Sequence, residues 1–205
     1  MYKNPIYAGL GWDERFTSEK HLYTTLPNFH FEKSIKSKTP GKILIPGDGE
    51  GRNGVYAASI GWDVTTFDYS IVAVNHALDL AKEKGVKIDA RHASITDISF
   101  PTETFDLIAM IFLHLDQEIR LQHFPQLVNS LKPGGLMYVF GFNKRQITLT
   151  SGGPKDVDML FSSQEMISDF NMLKVLQNEE FKGVLDEGPK HQGLAELIEF
   201  IGQKI

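Results

Sequence analysis

The 205-residue chain contains no cysteine, which excludes disulfides, thiolate metal sites and a cysteine nucleophile, and gives no sign of an oxidising compartment. No apolar run approaches the roughly 18 residues that a bilayer-spanning helix needs. The opening MYKNPIYAGLGWDERF has neither an apolar core nor a basic leader, so the expectation is a cytoplasmic protein without a membrane partner. Basic residues are in deficit: 21 Lys and Arg stand against 26 Asp and Glu, a net charge of -5. Such a surface repels a polyanion on average, so a nucleic-acid partner is not expected. The seven histidines are scattered without H-x-x-x-H or H-x-x-E-H spacing, so no metal is expected. A G-x-S-x-G nucleophile elbow is also missing. What remains, with 41% hydrophobic residues, suffices for one well-buried domain over residues 1–205 and is too short for two large ones.

The hydrophobic pattern is that of a parallel α/β chain. Short runs rich in β-branched or aromatic residues (42–45, 63–67, 86–90, 105–112 and 136–142) alternate with helical stretches near 52–60, 70–84 and 116–131, which argues for β-α-β units covered on both faces. In SLKPGGLMYVF the helix is predicted to end at Leu131 or Lys132, with Pro133-Gly134-Gly135 as the turn into a strand. Residues 163–170 read as one more helix. LKVLQNEEF and LAELIEFIGQ then form two runs separated only by the turn-rich DEGPKHQG, so they are expected to pair antiparallel. The prediction is therefore a Rossmann-like, seven-stranded, mostly parallel sheet with an antiparallel C-terminal hairpin. Residues 1–40, with Pro27 at a helix start, form a helical N-terminal cap over the carboxyl edge of the core formed by residues 41–205. Ligands of open α/β sheets bind at that edge.

The stretch IPGDGEGRNG poses the ligand question. Gly49-Glu50-Gly51-Arg52-Asn53-Gly54 fits the dinucleotide fingerprint G-x-G-x-x-G, with Asp68 following as a ribose-binding acid. Two carboxylates, Asp48 and Glu50, lie in the same turn, and they oppose a pyrophosphate at a helix N-terminus. They suit the cationic methionine half of S-adenosylmethionine instead. Read as G-x-G-x-G from Gly47, the register also fits better, with Gly47, Gly49 and Gly51 permitting tight turning and close ligand approach. The plain alternative is a strand-to-helix turn and nothing more. Asp68 likewise has two readings, a ribose acceptor or the N-cap of a helix opening near Ser70.

GDGEGRNGVYAASIGWDVTTFDYS, FDLIAMIFLHL and LKPGGLMYVF together resemble the class I S-adenosylmethionine-dependent methyltransferases, and within them the tellurite-resistance (TehB-like) small-molecule enzymes. WDERF with YTTLPN, and SGGPKD with the later EG and H-x-G, resemble the flanks of a bacterial branch. The resemblance runs over nearly the whole chain. It implies that Gly47, Asp48, Gly49, Gly51 and Asn53 bind the cofactor, the first three at its methionine half, with Arg52-Asn53 opening the helix and fixing the loop. It further implies Asp68 on the ribose, Tyr69, Ser94 and Ile95 around the adenine, Met110 and Ile111 near the sulfonium, and Trp12, Arg15 and Tyr23 folding over from the cap. Ile45 departs from the pattern, standing where many relatives end the first strand with an acid.

Methyl transfer from a sulfonium mainly requires alignment of the nucleophile with the methyl carbon and exclusion of water. An acceptor that must lose a proton also benefits from a base. His114, after the fourth strand, is the candidate base; its other reading is packing against, or capping, the helix from Asp116. His191, Arg145 and Lys155 are candidates to line the acceptor site, or else are solvated loop charges, and SGGPKD (151–156) occupies a lid position. The expected activity is methyl transfer from S-adenosylmethionine to a small molecule: a thiol, a chalcogen or metalloid oxyanion such as tellurite or selenite, or a small metabolite. The chain is expected to act as a monomer, with a homodimer left open. The rival readings are an NAD-dependent oxidoreductase and a non-catalytic S-adenosylmethionine-binding module.

Overall fold

The computed structural model describes residues 10–18 and 21–205; the rest of the expected cap lies outside the described residues. The chain runs α1 (Leu10–Ser18), α2 (Phe29–Ile35), β1 (Lys42–Pro46), α3 (Arg52–Ser59), β2 (Asp63–Asp68), α4 (Ile71–Glu83), β3 (Asp89–His92), β4 (Phe105–Ile111), α5 (Gln117–Ser130), β5 (Leu131–Phe142), α6 (Ser163–Asp169), β6 (Leu173–Asp186) and β7 (Gln192–Lys204). The strands form one seven-stranded sheet of order β3-β2-β1-β4-β5-β7-β6. β1 to β5 pair in parallel, and β7 runs antiparallel to both β5 and β6. The expected sheet and C-terminal hairpin are therefore present. Among the described residues no helix is long and apolar enough to cross a membrane.

Central strands are buried on both faces, which is why β1 reads as the unbroken apolar run Ile43-Leu44-Ile45. One face carries α2, α3 and α4, with Phe31, Ile35, Ala57 and Trp62 in its core. The other carries α5 and α6, where Phe124, Met166 and Phe170 meet Phe200 of β7. Helix starts follow side-chain caps: Asn28 accepts from the Phe31 N–H at 2.9 Å and Ser70 from the Ala73 N–H at 3.1 Å. The cap of α2 is thus Asn28, one residue beyond the expected Pro27.

Two junctions differ from expectation. α5 ends at Ser130, and Leu131 already pairs with Phe105. The Pro133-Gly134-Gly135 segment is thus an irregularity inside the start of β5, with the register shifting opposite Phe105 and Leu107. Gly135 is required there, since a Cβ would stand 2.8 Å from the Lys132 carbonyl oxygen. The third strand lies at 89–92 rather than 86–90, because Val86 and Ile88 pack on α3 and α4 as the end of the preceding connection.

Candidate active site

After β1 the backbone turns through Gly47, Gly49 and Gly51 at φ of +65°, +58° and +80°, a region that side chains with a Cβ avoid. Gly51 is the N-cap of α3 and brings no side chain to its first turn. Asp48 does so instead: its Oδ2 accepts from the Gly54 N–H at 2.8 Å and its Oδ1 from the Asn53 amide at 3.1 Å. Burial pushes the Asp48 carboxyl up to about 7, against the pull of those two bonds. The side chain therefore faces the helix and fixes the turn, which corrects the expectation that it reaches the methionine half of a ligand. It also puts a carboxylate of the chain on the helix terminus where a pyrophosphate would need free N–H groups.

Gly51 packs directly on α4, where an added Cβ would lie 2.5 Å from Ala77 Cβ and 2.9 Å from its Cα. Gly51→Val is expected to cost about 2–5 kcal/mol through clash and left-handed strain. A thermal melt reads the loss and isothermal titration with S-adenosylhomocysteine reads the damaged loop. Wild-type values in both would refute this account of the turn.

Asp68, at the end of β2, accepts from the Gly49 N–H and the Ser70 N–H, each at 2.9 Å. Burial raises its carboxyl while those bonds lower it. The helix-cap reading belongs to Ser70, whose hydroxyl bonds Asp13 of α1 on its other side. The cap is thereby anchored beside the glycine turn. Phe16 lies 3.4 Å from where a Gly49 Cβ would stand, Trp12 stacks on Phe16 at 5.6 Å, and the Arg15 guanidinium sits 4.8 Å above Trp12. Around the adenine region, Tyr69 receives the His92 ring N–H on its carbonyl at 3.1 Å. Ser94 bonds Thr96 at 2.9 Å, and Ile95 is buried with Phe67 and Met110.

At the end of β4, Met110 and Ile111 are core residues. The side chains at the edge are Phe112 and Leu113, neither singled out in the sequence. Phe112 has a φ of +55°, rare for a bulky residue, and is held by donating its N–H to the Phe140 carbonyl at 2.7 Å. Leu113 overlies Gly47, where a Cβ would come within 2.8 Å of it.

His114 does not fit the part of a base. Its Nδ1 bonds the Met159 carbonyl at 3.0 Å and its Nε2 accepts from the Phe142 N–H at 3.1 Å. Both nitrogens are used, and burial lowers its pKa to about 3 despite the Met159 bond. The expectation of a catalytic His114 is therefore corrected to a neutral imidazole that joins β4, β5 and the segment before α6.

His191, in the β6–β7 turn, is placed differently. Its ring lies 4.2 Å from Phe112, 4.6 Å from Tyr23 and 5.3 Å from Phe142, and its Nδ1 is 3.9 Å from Glu187 Oε2. Glu187 Oε2 also receives Arg52 at 2.6 Å, while Oε1 takes the Asn28 amide at 2.7 Å. Asn53 Oδ1 accepts from the Asn28 N–H at 2.9 Å, closing the network onto the glycine loop. Burial alone would raise the Glu187 carboxyl; His191 and Arg52 outweigh it and leave it at about 2. Burial lowers the His191 pKa below 6.5, with Glu187 opposing. Glu187 escaped the sequence reading because a glutamate in a turn signals only solvent.

Arg145 is exposed and held by Glu196 at 2.9 Å and Glu180 at 3.1 Å, so its charge is already matched. Lys155 is exposed and reaches only the Leu149 carbonyl, at 3.4 Å. The root of the 151–156 loop is tied down by Ser151, which donates to the Leu194 carbonyl at 2.7 Å and accepts from Gln146 at 3.0 Å. Gly152 lets this loop lie on His191, since a Cβ there would be 2.7 Å from its ring. Cavities of about 310 and 200 Å³ lie elsewhere, the larger along Lys42, Asp63, Asp89 and Arg91 at the opposite edge. The site is therefore defined by the converging residues, not by these hollows.

A doubly wound sheet with its glycine turn, second-strand acid and cap on one edge is the Rossmann-like fold of class I methyltransferases. Residues 43–135 match the family model described as Methyltransferase domain. Solved structures agree in fold. One concerned with conversion of a disulfide bond into a thioacetal group during echinomycin biosynthesis has a TM-score of 0.78 at 16% identity, covering 96% of this chain and 93% of that one. TehB from Haemophilus influenzae gives 0.72 at 19%, covering 95% and 67%. The N-methyltransferase NodS from Bradyrhizobium japonicum, in complex with S-adenosyl-L-homocysteine, gives 0.66 at 16%, covering 84% and 82%. No curated protein sequence matches the chain. Residues 43–135 carry a methyltransferase domain, and the protein is an enzyme that transfers methyl groups. The edge suits a cationic ligand better than a diphosphate, because Asp68 stands at the end of β2 and Asp48 already takes the phosphate position on α3.

Proposed function

We propose that the protein methylates a small molecule that gives up a proton in the reaction, a thiol or a hydroxyl compound. Bound S-adenosylmethionine supplies a methyl group activated by its sulfonium. In this reading Asp68 holds the ribose, the Gly47–Gly51 turn supports the methionine half, and Tyr23 and Phe112 bound the acceptor. His191, with Nδ1 turned to Glu187, accepts the acceptor proton on Nε2 as the acceptor lone pair takes the methyl group. The observation that carries the reading is the buried Glu187–His191 pair against Phe112 at the edge between β4 and β5. At 3.9 Å the two groups are too far apart for a hydrogen bond, so Glu187 acts on the ring through its charge, which stabilises the imidazolium once His191 is protonated. A tellurium or selenium oxyanion has less support, since Arg52 and Arg145 are each held by carboxylates.

Formation of S-adenosylhomocysteine, followed by mass spectrometry across thiols, phenols, small alcohols, selenite and tellurite, tests the proposal. Turnover with thiols or phenols and none with the oxyanions is the expected result. Turnover confined to the oxyanions would remove the need for a base and overturn the reading.

A further inference from the structure

The His191 imidazole is 6% exposed, and its Nδ1 is buried without a hydrogen-bond partner. An imidazole has a broad torsional preference about its Cβ–Cγ bond, so what packs on its edges must orient it. Glu187 faces the Nδ1 side. The Cδ2 edge meets main chain: a Cβ on Gly152 would stand 2.7 Å from Cδ2 and 2.6 Å from the Lys190 carbonyl oxygen, and one on Gly153 would stand 2.8 Å from the Phe142 ring. Gly152 and Gly153 have φ of +134° and +87°. Two consecutive glycines thus let a strap, residues 151–153, press on His191 and Phe142 along a path closed to residues with side chains.

One side chain from outside the strap holds it in place. Gln146, in the short 3-10 turn Lys144–Thr148 after β5, is 1% exposed, and its whole carboxamide is engaged. Its Nε2 donates to Ser151 Oγ and to the Gly152 carbonyl, both at 3.0 Å, while its Oε1 accepts from the Glu196 N–H of β7 at 2.9 Å. A main-chain N–H only donates and a carbonyl only accepts, so the carboxamide sits one way round. Burying such a group is costly unless its atoms are paired, and here both N–H groups are spent on the strap.

We propose that Gln146 is a positioning residue for methyl transfer: through the Ser151–Gly153 strap it fixes the His191 imidazole with Nε2 towards the acceptor and keeps water from the Cδ2 edge. This rests on His191 being the group that takes the acceptor proton. The strap supplies by contact the orientation that a hydrogen-bonded carboxylate would supply by direction. Loosening it has two consequences. The ring spends less time aligned with the acceptor, and water reaches it, so its pKa climbs back towards 6.5, because burial is the main cause that lowers it. The other charged and titratable groups around the ring, Glu187, Arg52, Tyr23 and His114, are left in place.

Two variants untie the strap from opposite ends: Gln146→Met keeps the side-chain length without the donors, and Ser151→Ala removes the hydroxyl that receives one of them. In each variant that is folded by circular dichroism, NMR titration of the imidazole signals, assigned with His191→Ala, should show the His191 pKa moved up towards 6.5. Turnover of thiophenol and phenol should fall about 10- to 100-fold in kcat with KM little changed, the scale on which a misplaced reacting group slows a reaction. Added to His191→Ala, the same changes should cost nothing further, since a residue acting through His191 then has nothing to act on. An unmoved titration in a folded variant overturns the proposal. So does a kcat loss that persists in full in the His191→Ala background, which would reduce Gln146 to a brace for the loop. A wild-type rate in His191→Ala alone would instead overturn the base reading, and is told apart because the strap variants would still move the titration.

Discussion

His191→Ala is expected to lower kcat by about two to four orders of magnitude, the usual worth of a positioned general base, with a much smaller change in KM. The sign of the pH dependence follows from the site. Burial holds the ring neutral at pH 7 by lowering its pKa below 6.5, so the base form dominates at neutrality. The rate should therefore rise as pH increases through a value below 6.5 and stay level above it. That acid limb should vanish in His191→Ala, while Glu187→Gln should keep it, moved to lower pH because the carboxylate that favours the imidazolium is gone. His114→Ala makes the contrast. With both ring nitrogens bonded to main-chain groups, it should lower the melting temperature and leave the acid limb in place. If His191→Ala turns over at the wild-type rate across pH 5–8, alignment alone drives the reaction and the proton leaves by another route.

The strands and the edge at which function gathers could be read in the sequence because their cause is periodic and local. Ile43-Leu44-Ile45 can only be an interior strand, and Gly47, Gly49 and Gly51 reveal a turn that side chains would obstruct. Ser70 and Asp68 show the limit of such reasoning. Both suit a helix N-terminus, and only the structure assigns the cap to Ser70 and the loop N–H to Asp68. The acceptor side was harder to foresee because it is made of contacts across long sequence distances. Arg52 and Glu187 are 135 residues apart, and nothing near either one in the chain announces the other. His114 looked reactive beside the fourth strand, and main-chain groups from residues 142 and 159 make it inert. A histidine's chemistry is set by what occupies its second nitrogen, and sequence does not carry that information.

The same long-range pair gives the largest expected effect on stability. Arg52→Ala leaves Glu187 buried without its guanidinium, and truncating one partner of a buried ion pair costs about 3–5 kcal/mol. At this chain length that is a fall in melting temperature of roughly 6–20 °C. The damage should centre on the carboxyl edge, because Glu187 also holds the Asn28 amide and lies beside His191, so cofactor affinity and turnover should decline with it. Replacing both partners with apolar residues, Arg52→Met with Glu187→Leu, should recover much of the stability and none of the turnover. Linkage supplies an independent check. Glu187 sits at about 2 against an ordinary 4.5, so its contribution is full above pH 4.5 and is lost as pH falls towards 2. Wild-type protein should therefore lose stability over that window more steeply than the apolar pair. Equal acid sensitivity in the two proteins would mean that the Arg52–Glu187 contact contributes little, and that the cap and the hairpin turn are held to the glycine loop by packing alone.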